Sequence, residues 1–271
     1  MLSQKFTLYY PFDSFLEKIK EGANVNIIRT QAIVLKGLDL GEADRLITIF
    51  SREKGKLRIV ANGVRRTRNN MSALVQPFTY NNVLIYKGSS IPKLRQGEIL
   101  DSFLPLHEDL LSVASASYVI ELIDLLLEEE DTQVDIFTLL LITLQIIKEQ
   151  GHSDILLRYF ELHLLSLLGY QPHLVSCVQC NKEMAANEAT YFSAKSGGLK
   201  CFNCHDPILD GKISKASLSL MRNLLTIPLS RLRSLVSSQI ILAETESIME
   251  NYIQYYTERK LKSLPFLRSL K

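Results

Sequence analysis

From residue 27 to about residue 105 the apolar positions recur every second residue; beyond 106 they recur at helical spacing. IIRTQAIVLKG is β-branched and reads as a strand ending at Gly37. ADRLITIFS is a second strand after a turn at Leu40-Gly41. Lys56 to Asn62 places Lys56, Arg58 and Val60 on one face and Leu57, Ile59 and Ala61 on the other. Phe78–Lys87 and Leu94–Phe103 are two further strands, with turn signals at Gly37, Glu53–Gly55, Gly63 and Gly88. Five short strands in about 80 residues predict an OB-type β-barrel; an SH3-like barrel fits nearly as well by count.

The second half is rich in Leu and Ile. Helices are expected from about Glu108 to Glu130, Val134 to Gln150, and Asp154 to Leu168, with Ser153 as N-cap and Gly151 and Gly169 as helix stops. Two more are expected over 212–228, bounded by Pro228, and over 238–262, capped by Ser237 or Ser238. The acidic run Glu128–Asp131 reads as a solvated helix end. Residues 1–26 read as a weakly held appendage, with Ser14 and Glu17 fitting a capping box for one short helix. The fold class is therefore α+β multidomain. A barrel over 27–105 precedes an all-α helical domain over 106–271, which includes a cysteine module at 170–207.

The composition, 46% apolar and 22% charged over 271 residues, excludes a mainly disordered chain. No apolar run reaches the ~18–20 residues of a membrane span. MLSQKFTLYYPFDSF lacks the continuous apolar stretch of a signal peptide, so the expected location is the cytoplasm. The net charge of +2 names no partner, but its distribution does: residues 27–105 carry net +7 and residues 106–271 net −5. A short basic domain attracts polyanions. SREKGKLRIVANGVRRTR, Ser51 to Arg68, concentrates Arg52, Lys54, Lys56, Arg58, Arg65, Arg66 and Arg68 against Glu53 alone, and Lys93 and Arg95 extend the stripe. Cations on a barrel face and its adjacent loop can track a phosphate backbone. Tyr80, Tyr86 and Phe50 are candidate base stackers, although aromatic residues in strands more often belong to the core.

All four cysteines fall in one pattern, Cys177-x2-Cys180 and Cys201-x2-Cys204, with Gly197 and Gly198 before the second pair. Each two-residue gap aims two thiolates at one ion, which predicts a single structural Zn2+ with a closed coordination shell. Unlinked redox pairs or buried free thiols do not explain why no cysteine lies outside the pattern. His205 reads as a neighbour of that site and not a ligand, and His163 as a packed core residue. There is no G-x4-GK[ST], no HExxH and no G-x-S-x-G, so neither a nucleotide cofactor nor an enzyme active site is expected.

TQAIVLK (Thr30–Lys36), GEADRLITIFSREKGK (Gly41–Lys56), ANGVRR (Ala61–Arg66) and QPF (Gln76–Phe78) resemble the amino-terminal domain of the RecO family. LLGYQP (Leu167–Pro172), followed by the four cysteines, resembles its carboxy-terminal domain. The resemblance covers about residues 27–230. It implies a bacterial recombination mediator, nucleoid-associated during repair, with an OB fold and a helical domain carrying a zinc module. It implies binding to single- and double-stranded DNA, annealing of complementary strands, and loading of the RecA recombinase onto DNA coated by single-strand-binding protein. The implied partners are RecR, in some cases RecF, and the acidic, apolar tail of single-strand-binding protein, with Lys212, Lys215, Arg222, Arg231 and Arg233 as candidate tail contacts. Some members lack the cysteines. Family members begin close to TQAIVLK, so the first 26 residues are either an extension or the result of a start misplaced upstream of Val25. An RNA-binding or transcription-associated OB plus zinc-ribbon protein is the alternative reading.

Overall fold

The computed structural model describes residues 26–66, 71–88, 90–184 and 189–271. The expected helix at Ser14–Glu17 and the candidate Arg68 lie outside them. The five expected strands are present as β1 (Asn26–Leu40), β2 (Asp44–Ser51), β3 (Gly55–Ala61), β4 (Tyr80–Lys87) and β5 (Lys93–Asp101). They close in the order β1-β2-β3-β5-β4. Neighbours are antiparallel except β3 and β5, whose single parallel bridge, Val60 to Lys93, completes the closure.

β1 does not stop at Gly37. A register shift between Val34 and Lys36 bends the strand, so that its first half pairs with β4 and its second half with β2. Gly37 lies inside the strand, paired with Ile47, and a Cβ there would lie 2.8 Å from Arg45 Nε, part of a long side chain free to shift. Ala32, Val34, Ile47, Ile49, Leu57, Ile59, Ala61, Val83, Ile85 and Leu94 fill the interior, alternating with outward residues as the pleat requires.

The helices are α1 (Leu110–Leu126), α2 (Val134–Gln150), α3 (Asp154–Leu167), α4 (Lys215–Thr226), α5 (Gln239–Thr257) and α6 (Ser263–Ser269). Asp109, Ser153, Ser214 and Ser238 cap α1, α3, α4 and α5. The helical half is not all-α. β6 (Thr190–Ser193), β7 (Gly198–Cys201) and β8 (Gly211–Ile213) form an antiparallel sheet around the cysteines, and β8 occupies the start of the helix expected over 212–228. The helix expected over 238–262 breaks at Glu258, which turns left-handed (φ 51°), and α6 then packs on α1.

The two halves share one apolar core. Ile33, Leu35, Phe50, Phe78 and Phe103 point outward from the barrel into the helices, with Phe50 against Phe137 at 5.6 Å. Each fully buried side chain of this size contributes about 1.5–3 kcal/mol. Phe78 (φ 74°) and Phe103 (φ 49°) hold left-handed backbone at this joint, a conformation that only such burial sustains in a residue with a bulky side chain.

A buried charge network ties the helices together. Tyr118 donates to Glu161 Oε1 at 2.5 Å, and Arg158 Nη2 lies 2.5 Å from the same oxygen. Glu246 lies 3.6 Å from Arg158 and accepts from Arg268 at 2.6 Å. Burial pushes the Glu161 carboxyl up to about 7, against the opposing pull of Arg158 and Tyr118.

Candidate nucleic-acid interface and metal centre

The cations expected along the barrel fall in three places. In the middle of β3 the charge is already answered. Lys56 is buried and donates to the Asp124 carbonyl at 2.6 Å, with the Asp124 carboxylate 3.7 Å away. Burial lowers its pKa while Asp124 opposes the shift. Arg58 pairs with Glu129 at 2.6 Å, and Lys36 with Asp124. The acidic run Glu128–Asp131 is thus not a solvated helix end. The chain leaves α1 at Leu127 in an extended conformation and lies on the barrel: Glu130 N donates to Lys56 O at 2.9 Å and Glu130 accepts from Lys87 at 2.7 Å. Lys56 is accordingly corrected from a phosphate contact to a joint between the halves, and Arg58 is half committed to the same joint.

At the β2–β3 hairpin Arg52 and Lys54 are exposed, and Arg52 donates only to Gln31, at 3.4 Å. At the opposite end of β3 lie Arg65 and Arg66, with Lys93 beyond the Val60 bridge. Arg65 donates to Gly41 O at 2.8 Å and lies 3.2 Å from Asp39; Arg66 is exposed with no carboxylate partner among the described residues. Arg95 sits over the Tyr86 ring at 5.2 Å, and Tyr86 is the register partner of Lys93. Leu38 and Leu40 beside the β1–β2 turn, and Ile91 between β4 and β5, are exposed at this same end. The stacking candidates divide as well: Phe50 and Tyr80 pack on Phe137, whereas Tyr86 remains part-exposed.

The four cysteines converge. Their sulfurs all lie within 4.8 Å of one another, and Cys180 and Cys201 are 3.8 Å apart. A tetrahedron of Zn–S bonds of about 2.3 Å has edges of about 3.8 Å. The first knuckle turns at Asn181 (φ 58°), where Asn181 N donates to Cys177 O and Cys177 N to Lys182 O, both at 2.9 Å. The second turns where Cys204 N and His205 N both donate to Cys201 O. Gly198 lets the first knuckle cross β7, since a Cβ there would lie 2.5 Å from His173 O. Burial pushes the Cys177 thiol up, but backbone hydrogen bonds from Cys201, Cys180 and Gln179 outweigh it and hold it at about 6. Cys204, facing Cys201 and the other sulfurs, is pushed up to about 12. Four cysteine sulfurs this close could hold one metal ion, and an all-sulfur tetrahedral donor set fits Zn2+. His205 turns its Nδ1 to the Phe202 carbonyl at 2.6 Å, and His163 stacks on Tyr159 at 4.0 Å.

The chain is thus a small closed barrel with exposed cations at one end, fused to a helical body that carries a four-cysteine cluster. Residues 25–103 match the family described as Recombination protein O N terminal, and residues 107–265 match Recombination protein O C terminal. The chain is 32% identical over 248 residues to the DNA repair protein RecO of Desulforamulus reducens, covering 91% of this chain and 96% of that one. It is 36% identical to the protein of that name from Symbiobacterium thermophilum, with 90% and 98% covered. For the one from Roseiflexus sp. the figures are 37% identity, 89% and 85%. The chain belongs to the RecO family of DNA repair proteins.

Proposed function

We propose that this protein is a non-enzymatic recombination mediator that binds single- and double-stranded DNA, anneals complementary strands and helps load RecA onto DNA coated by single-strand-binding protein. The observation that carries the DNA reading is the barrel end: Arg66, Lys93 and Arg95 lack carboxylate partners among the described residues, while Lys56 and Arg58 nearer the helices are paired with Asp124 and Glu129. The strand order suits an OB-type barrel, a fold whose loops between strands 1 and 2 and between strands 4 and 5 hold oligonucleotides, and both loops lie at this end. Neutralising phosphates on two strands lowers their mutual repulsion and favours pairing. Arg52 and Lys54 form a second contact at the opposite hairpin.

The metal at Cys177, Cys180, Cys201 and Cys204 is one structural Zn2+: four thiolates fill its shell and it supplies cross-linking. The helical body serves protein partners, RecR and in some pathways RecF. A groove of about 950 Å³ between barrel and helices has an apolar floor at Leu35, Phe78 and Ile120 and cations at Arg259 and Lys260; Lys36 also lines it, paired with Asp124, and Glu121 lies beside them. We propose it, rather than Arg222, whose Nε is committed to the Leu174 carbonyl at 2.7 Å, as the site for the acidic, apolar tail of single-strand-binding protein. No helix among the described residues is long and apolar enough to cross a membrane, which agrees with work at cytoplasmic DNA. The test is annealing of complementary strands coated with single-strand-binding protein. Acceleration by this protein without nucleotide is expected; no acceleration, with a preference for RNA, would favour the transcription-associated reading.

A further inference from the structure

The three-stranded sheet at the cysteines has an outer face that neither the metal centre nor the helical core uses. Phe192, Leu199 and Ile213 point inward and are buried. On the other face Tyr191 is the register partner of both Lys200 and Lys212, so the three share one side. The His205 ring lies flat on Tyr191, with 3.7 Å between centroids and 9° between planes, fixed by its hydrogen bond to the Phe202 carbonyl. Phe202 follows at 5.5 Å from His205 and is 63% exposed, held out by the second knuckle. A lone exposed Phe needs no explanation. This one stands beside a preformed ring stack and a cleft of about 290 Å³ that it lines with Asn203 and Lys182.

The charge beside these rings is mixed. Asp206 accepts from Ile208 N and Leu209 N, and Asp210 accepts from Asp206 N and pairs with Lys200. Lys212 is exposed and has no carboxylate partner among the described residues. A fixed aromatic face next to an exposed cation is what an unpaired base and its phosphate require.

We propose that this face is a second contact for single-stranded DNA, in which a base stacks on Phe202 beside the Tyr191–His205 pair and the adjoining phosphate meets Lys212. The inference rests on the DNA reading above and adds selectivity: duplex bases are already stacked on one another and offer no free face, so only unpaired DNA uses this site. One lost stacking contact reduces affinity roughly tenfold.

The test is fluorescence anisotropy of the full, zinc-loaded chain with labelled oligo(dT) and with a duplex of equal length. Phe202→Ala is expected to weaken oligo(dT) binding roughly tenfold and duplex binding less than about twofold, with Phe202→Tyr restoring it. Lys212→Ala, in the strand away from the cysteines, is expected to weaken oligo(dT) binding about two- to threefold and to lower its salt dependence. Zinc content and melting temperature check that both variants fold. Oligo(dT) affinity unchanged in both folded variants, as it would be if a protein used this face, overturns the inference, and so does an equal loss on both forms of DNA. Failure of the unaltered protein to bind either DNA defeats the barrel-end reading instead.

Discussion

Lys56 Nζ and the Asp124 carbonyl oxygen meet at 2.6 Å, and that contact fastens a barrel strand to the end of the first long helix. It also shows that part of the charge contrast between the halves serves to hold them together. Lys56→Ala removes the buried donor to the Asp124 carbonyl while Lys36 still pairs with the Asp124 carboxylate, and is expected to destabilise the protein by about 1–3 kcal/mol, read from denaturant unfolding. DNA affinity and its salt dependence should stay close to those of the unaltered protein, because Lys56 is not available to phosphates.

Gly55 sits in the same joint. Its φ is +66°, and an added Cβ would lie 2.1 Å from Asp131 O. Gly55→Ala combines left-handed strain with a backbone clash and should cost at least about 2 kcal/mol. The acidic segment should lift off the barrel, read as faster amide exchange at Glu130, whose N–H is bonded to Lys56 O.

Much of this was legible from residue pattern. Alternation at Lys56–Ala61 is short-range information, and β3 forms where the pattern puts it. The cysteine spacing likewise encodes each knuckle's turn, while the β7 strand, bonded to the first knuckle at Val178 N–Leu199 O, brings the two pairs together. The misread features depend on distant contacts. Gly37 looks like a stop, yet β1 runs through it and stays paired with β2 as far as Leu40. Glu128–Asp131 looks like a helix end, yet, exposed as expected, it lies along the barrel with cationic partners, Arg58 and Lys87, some 40 to 70 residues earlier. Local charge counts cannot say which lysines a remote carboxylate has already neutralised, and so the basic stripe divides in the fold.

Removing the metal tests the division of labour. Cys201→Ser, or chelation of the zinc, is expected to loosen the β6–β8 module and lower the melting temperature of the helical half. Duplex DNA binding by the barrel should persist, measured under the same conditions. Loss of duplex binding by a protein that still folds would refute the separation.

The buried Glu161 makes a pH prediction. Its carboxyl is raised from 4.5 to about 7, chiefly by burial, so the folded state holds a proton that the unfolded state has lost between those values. That contribution is fully present below pH 4.5 and is lost as pH rises through about 7. Glu246 and Asp210, whose charged forms are stabilised by Arg158 and by the Asp206 backbone respectively, act oppositely and lose their contribution as pH falls through the acid range. Glu161→Gln should flatten the decline in unfolding free energy between pH 5 and about 7.5 and leave the acid limb unchanged.

The most direct test is the salt dependence of oligo(dT) binding with the barrel end neutralised. Arg66→Ala, Lys93→Ala and Arg95→Ala together remove three phosphate contacts at about 0.7 each, so the slope of log Kobs against log salt should become shallower by about 2, with a large loss of affinity at low salt. A slope and affinity equal to those of the unaltered protein would contradict the claim that this end of the barrel holds DNA.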